Sequence, residues 1–163
     1  MTLTKWDVKE LLSQRNPYVD LIIKEFENTK YIFDKISLTI PIPDLVKTMV
    51  IEECCSLMNK LLVEGFACGK KCTHQGRASM LFDFREYVAQ IEKNSKLRVP
   101  QKSYVEDYIH AFYLDEDEID KWIQEHKEYS LYQLNALTNC KSTFKRKATN
   151  KLLNLIEKGT PPH

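Results

Sequence analysis

The stretch "GKKCTHQGR", Gly69 to Arg77, sets two glycines, two lysines, a cysteine, a histidine and an arginine side by side. These residue types bind phosphate, hold metal ions or carry nucleophiles. A phosphate loop needs four residues between its glycines, then Lys and a hydroxyl residue, because backbone NH groups must curl around the phosphate before the lysine reaches it. Here Gly65 and Gly69 enclose three residues, Lys70 is followed by Lys71, and the stretch leaves a helix-patterned segment instead of a strand. Cys68, Cys72 and His74 fall short of a structural zinc site, which takes four ligands in paired spacings. The four histidines, His74, His110, His126 and His163, stand apart, and no serine or cysteine sits in a nucleophile-elbow motif. Asp115 to Asp120 crowds carboxylates, but in the first turn of a helix the dipole alone favours them. The sequence therefore predicts no catalytic set, no metal and no cofactor. The opening stretch reads as a corner between two helices, with Thr73 as N-cap and with Gly76 and Ala78 letting two helix ends come close.

Around this corner, 163 residues are enough for one domain with one core. Lys and Arg number 24 against 23 Asp and Glu, so a net charge of +1 provides no global field for nucleic acid. Nucleic-acid binding is not expected, and any anionic contact must be local. Cys54, Cys55, Cys68, Cys72 and Cys140 are an odd set, read as reduced thiols in the cytoplasm. Apolar runs such as "TMVI" and "LMNKLLV" are broken by charge well short of the ~18 residues that span a bilayer.

The periodicity is helical almost throughout and predicts an all-α fold, an elongated bundle of about eight helices without a convincing strand. Longer helices are expected over 1–95 and a cap of short ones over 101–158. The amphipathic "LTKWDVKELL" opens the chain. A second helix follows Asn16 as N-cap and Pro17 at the first helical position, with a stripe of Val19, Ile22, Phe26, Phe33 and Ile36. "ISLTIPIPDL" alternates, yet two close prolines would spoil a sheet ladder, so it reads as an extended link. Pro43 then starts a helix whose stripe is Val46, Val50, Cys54, Leu57 and Leu61; the next carries Leu81, Phe84, Val88 and Ile91. In the last third, Val105, Tyr108, Ile109 and Phe112 share a face. Asp115 with Glu118 forms a capping box ahead of Ile119, Trp122 and Ile123, and Ser130 with Gln133 repeats the device ahead of Leu134 and Leu137. A final basic helix bears Ala148, Leu152 and Leu155. Its run "KSTFKRKATNK" makes Lys141, Lys145, Arg146, Lys147 and Lys151 candidate contacts for a partner or anionic lipid, at about 1 kcal/mol per basic residue at a charged membrane. Lys70, Lys71 and Arg77 join them if the corner faces solvent.

The segments "TKWDVKE", "YVDLIIKEFE", "VEGFACGKKCTHQGRASMLFDF" and "YIHAFYLDEDEIDKWIQEHKEYSLYQL" together resemble the carboxy-terminal region of the syndetin family, from about Trp6 to Leu155. The resemblance is most specific at "KKCTHQGRASM" and "DKWIQEHKEYS" and weakest in the proline link and the basic last helix. It implies a terminal fragment of a longer subunit of the endosome-associated recycling protein complex, a vesicle tether built from helical rods. The implied job is non-catalytic interaction in endocytic recycling. The implied partners are other tethering-complex subunits, SNARE proteins, a Rab-type small GTPase and a beta-propeller companion protein. The implied location is cytoplasmic, peripheral on recycling endosomes and the trans-Golgi network. A peripheral membrane-docking module using the basic patches is the alternative expectation.

Overall fold

Pro17 starts the first long helix as its type dictates: proline's fixed φ suits the first turn, where its missing NH costs nothing. The computed structural model describes residues 4–10, 13–69, 71–140 and 154. Among these the architecture is all-α, with six helices: α1 (Pro17–Thr39), α2 (Asp44–Ala67), α3 (His74–Ser95), α4 (Lys102–His110), α5 (Glu116–Glu125) and α6 (Leu131–Cys140). A 3-10 turn, Ala111–Tyr113, extends α4. The count expected from sequence was about eight. The final basic helix lies outside the described residues. The opening stretch is corrected: residues 4–10 are not helical, and Trp6 instead makes an isolated parallel bridge to Cys72.

Asn16 occupies the N-cap position, but its side chain does not cap α1. Its backbone NH and its Nδ2 both donate to the Asp83 carboxylate of α3, each at 2.9 Å. Farther along, Lys30 Nζ donates to the Asn94 carbonyl oxygen at 2.8 Å. These bonds lay α1 along α3, whose buried face includes Met80, Phe84, Tyr87 and Ile91. α1 runs through Thr39, so the extended link is shorter than its alternating pattern suggested and comprises only Ile40 to Pro43.

The stripe expected to bury α2 is the larger correction. Val46, Leu57 and Leu61 are exposed, while the face turned to the core is Cys55, Leu62, Val63 and Phe66. α2 is apolar on two faces, so periodicity alone does not say which one packs. Polar groups decide: Asn59 is fully buried and donates to the Pro100 carbonyl oxygen at 2.8 Å, and Ser56 Oγ donates to Gln101 Oε1 at 2.9 Å. Both bonds fix the Cys55–Phe66 face against the start of α4.

The short helices follow the sequence closely. Val105, Tyr108, Ile109 and Phe112 are buried together. Asp115 accepts from the NH groups of Asp117 and Glu118, and Glu118 accepts from the Asp115 NH, a complete capping box. Ser130 NH donates to Gln133 Oε1 at 2.9 Å and Gln133 NH to Ser130 Oγ at 3.3 Å, the same reciprocal pair. Gln133 Nε2 also reaches Glu64 Oε2 at 3.0 Å, tying α6 to α2. Asp115→Ala is expected to cost about 1 kcal/mol, seen as a lower urea midpoint with an unchanged slope. No loss of midpoint would show that α5 is held by Ile119 and Ile123 alone.

Candidate docking groove

The corner between α2 and α3 is built on Thr73 and Trp6. Thr73 caps α3, its Oγ1 accepting from the Gly76 NH at 3.0 Å. The same hydroxyl donates to the Val8 carbonyl oxygen at 2.7 Å, while the Thr73 NH donates to the Trp6 carbonyl oxygen at 3.1 Å. Trp6 is buried, edge-on to Phe66 with ring centroids 5.5 Å apart. Gly76 is needed because the Trp6 backbone passes where a Cβ would stand, 2.8 Å from the Trp6 carbonyl carbon and nearer still to its oxygen. The close approach expected at this glycine is real, but the neighbour is the amino-terminal segment, not a second helix end.

Of the corner's candidate contact residues, Lys71 is exposed and Lys70 lies outside the described residues. Arg77 is corrected from surface to core: it is 1 % exposed, its guanidinium 4.8 Å from the Phe112 ring centroid and 5.6 Å from that of Tyr108. It falls on the inward face of α3 because Thr73 starts the helix at His74, which sets Arg77 in line with Met80 and Phe84. Lys141, Lys145, Arg146, Lys147 and Lys151 lie outside the described residues.

Burial pushes the Cys72 thiol up to about 11 against the smaller opposing pull of Arg77, and burial likewise raises Cys140. Both are neutral thiols, weak as ligands and nucleophiles. His74 packs against the rings of Phe112 and Tyr113. Among the described residues no three His, Cys, Asp or Glu side chains converge on a point that holds a metal ion, and no helix is long and apolar enough to cross a membrane.

The feature that sequence reasoning missed lies on the other side of α2. α1 packs on α3, and α2 packs on α4 and α6, but α1 and α2 make no comparable interface with each other. A groove of about 420 Å³ remains between them, floored by Tyr87, Ile91 and Leu97. One wall is Ile22, Phe26, Thr29 and Phe33 of α1. The facing wall is Val50, Cys54, Leu57 and Leu61 of α2. These are largely the stripes expected to form the core, so the apolar signal is in the sequence but leads to a different place. Charged side chains stand at the margins. Lys47 pairs with Asp44 at 3.7 Å and Lys30 is bound to Asn94, whereas Glu25 and Asp34 take part in no ion pair among the described residues. Leu38, Ile40, Leu45 and Met49, around the link between the two helices, are also exposed but do not line the groove. Open apolar faces on folded chains are candidate docking sites.

The sequence matches the family model described as Syndetin, C-terminal, over residues 1–157. It is 44% identical over 160 residues to syndetin of Rattus norvegicus, and 43% identical over 160 residues to the syndetins of Gallus gallus and Mus musculus. Each alignment covers 96% of this chain and 17% of the relative, so the chain spans about a sixth of the length of the curated relatives it matches. No solved structure matches it. With a family model covering nearly every residue and relatives of one name aligned across the same span, the chain belongs to the syndetin C-terminal family.

Proposed function

We propose that this chain is a non-catalytic interaction module of a multisubunit vesicle-tethering complex, the endosome-associated recycling protein complex, acting in endocytic recycling. The observation that carries the reading is the uncovered groove between α1 and α2, two apolar walls over an apolar floor. Helix-in-groove docking is a common way for helical proteins to join, and it needs shape and apolar area instead of reactive groups. The half-buried corner thiols Cys72 and Cys140, whose pKa burial raises, fit the same non-catalytic role. Its partners are other tethering-complex subunits, with SNARE proteins, a Rab-type small GTPase and the beta-propeller companion as clients, and it works on the cytoplasmic face of recycling endosomes and the trans-Golgi network. The alternative is lipid docking through the run Lys141 to Lys151, which lies outside the described residues, together with Lys71, which is exposed; the buried Arg77 takes no part in it.

The test is capture from cell extract with the chain as bait, comparing wild type with Leu57→Asp. Leu57 is 55% exposed on the groove wall, so the substitution leaves the core intact. Tether subunits or SNAREs are expected on wild type and reduced at least about tenfold on the variant, as expected for a charge set in an apolar interface. Equal retention by both, with unchanged helical circular dichroism, would remove the groove from partner binding.

A further inference from the structure

We infer that Cys72 and Cys140 are a dithiol that closes into a disulfide and staples the end of α6 to the corner between α2 and α3. Sequence keeps the two apart by 68 residues, yet the fold brings both sulfurs beside one guanidinium, that of Arg77. Cys140 Sγ donates to the carbonyl oxygen of Gly69, three residues before Cys72, at 3.1 Å. Cys72 Sγ in turn sits 3.3 Å from where a Gly76 Cβ would stand. The pair therefore meets at a packed seam, Cys72 at the entry to α3 and Cys140 as the last residue of α6. The other cysteines are placed differently. Cys54 and Cys55 are neighbours on α2, one exposed and one buried, and Cys68 accepts from the Tyr132 hydroxyl at 3.5 Å.

Arg77 favours the reactive form. It is buried, and its Nε and Nη1 have no hydrogen-bond partner, so a thiolate formed at either sulfur has an unmatched cation beside it. Thiolate is the form that attacks. Both groups are neutral at rest, so exchange is slow at neutral pH and quickens as pH rises. The oxidant is a small-molecule disulfide such as oxidised glutathione. One cysteine thiolate attacks a sulfur of the reagent, whose S–S bond breaks and whose other half leaves as a thiolate and takes up a proton. The second cysteine, its proton lost to solvent, attacks the protein sulfur of the mixed disulfide and expels the remaining half. Two cysteine thiols are thus oxidised to one disulfide, and the reagent is reduced to two thiols. The staple joins α6 to the corner that holds the Trp6 segment through Thr73, so it keeps the corner closed whatever occupies the groove.

The experiment incubates the reduced 163-residue chain with oxidised glutathione at mildly alkaline pH without denaturant, caps the remaining thiols with iodoacetamide and maps disulfides by peptide mass spectrometry. A Cys72–Cys140 link is expected. The thermal midpoint is expected to rise by about 10 °C, because the bond closes a long loop in the unfolded chain. Cys72→Ala and Cys140→Ala are each expected to abolish both the link and the rise, and Cys54→Ala to leave them. The wild-type map needs no variant, so misfolding of either one does not decide the result. A link from Cys68 to Cys140, or glutathione adducts with no internal link, would overturn the pairing. So would a Cys72–Cys140 link that forms only in urea or leaves the midpoint unchanged, since the two sulfurs would then not meet in the native fold.

Discussion

Gly76→Ala is expected to destabilise the fold by about 3 kcal/mol, the upper end of the usual cost of overpacking. Helix propensity argues the other way, since alanine is favoured over glycine inside a helix by about 1 kcal/mol. The contact wins because the new Cβ would stand 2.8 Å from the Trp6 carbonyl carbon and nearer still to its oxygen, both backbone atoms that no rotamer change can move. The substitution therefore displaces the amino-terminal segment, withdrawing Trp6 from Phe66 and Tyr18 and breaking the bonds from Thr73 to the Trp6 and Val8 carbonyls. Trp6→Ala reaches the same end by another route and is expected to cost about 3–5 kcal/mol. Urea unfolding of the two single variants and the double variant decides the matter. Once the indole no longer anchors the segment, Gly76→Ala should add little, so the costs should fall well short of additive. Additive costs would mean that the Gly76 contact and the Trp6 anchor are independent. Gly65→Ala is the internal control, because nothing lies within 4 Å of its Cβ position and it is expected to be neutral or mildly stabilising.

Arg77 gives the second large effect. Arg77→Ala is expected to cost about 3 kcal/mol or more, from the cavity left by its buried stem and from the loss of its stacking over Phe112 and Tyr108. Arg77→Met is expected to recover most of that loss. Methionine fills the space of the stem and touches the same rings, and it removes a cation whose Nε and Nη1 lack hydrogen-bond partners. Burying a charge with unmatched donors costs free energy that the aromatic faces offset only in part. The contrast between the two variants, read from unfolding midpoints, separates volume from charge. If Arg77→Met were as damaging as Arg77→Ala, the guanidinium charge itself would be what the core of this corner requires.

The corner bears on docking through α3. Thr73 and Trp6 set where α3 begins, and α3 supplies Tyr87 and Ile91 to the floor of the groove. Asp83, in the same helix, anchors α1 through Asn16, and Glu86, one turn farther on, receives Arg15 at 3.2 Å. Burial raises the Asp83 carboxyl above its ordinary 3.8, so this anchor is held in an environment that resists charge and is satisfied by two donors from Asn16. The groove is thus framed by contacts remote from it, and a substitution on its exposed walls leaves that frame in place.

The sequence alone determined the helical class, the start of α1 at Pro17, the Thr73 cap, the capping boxes at Asp115 and Ser130, and the buried faces of α4 to α6. These features rest on local chemistry: a cap bonds to NH groups two or three residues away, and a short amphipathic helix has one apolar face to bury. Tertiary structure decided the rest. "LTKWDVKELL" carries a helical pattern, but at Trp6 the backbone pairs with Cys72 because the indole finds Phe66 and Tyr18, partners 60 and 12 residues away. α2 is apolar on two faces, and the buried bonds of Ser56 and Asn59 to the segment before α4 settled which one packs. Arg77 went inside because the register of α3 carried it there and aromatic rings received it. The groove exists for the same reason: periodicity reports that a face is apolar, and only the positions of distant helices determine whether that face is covered.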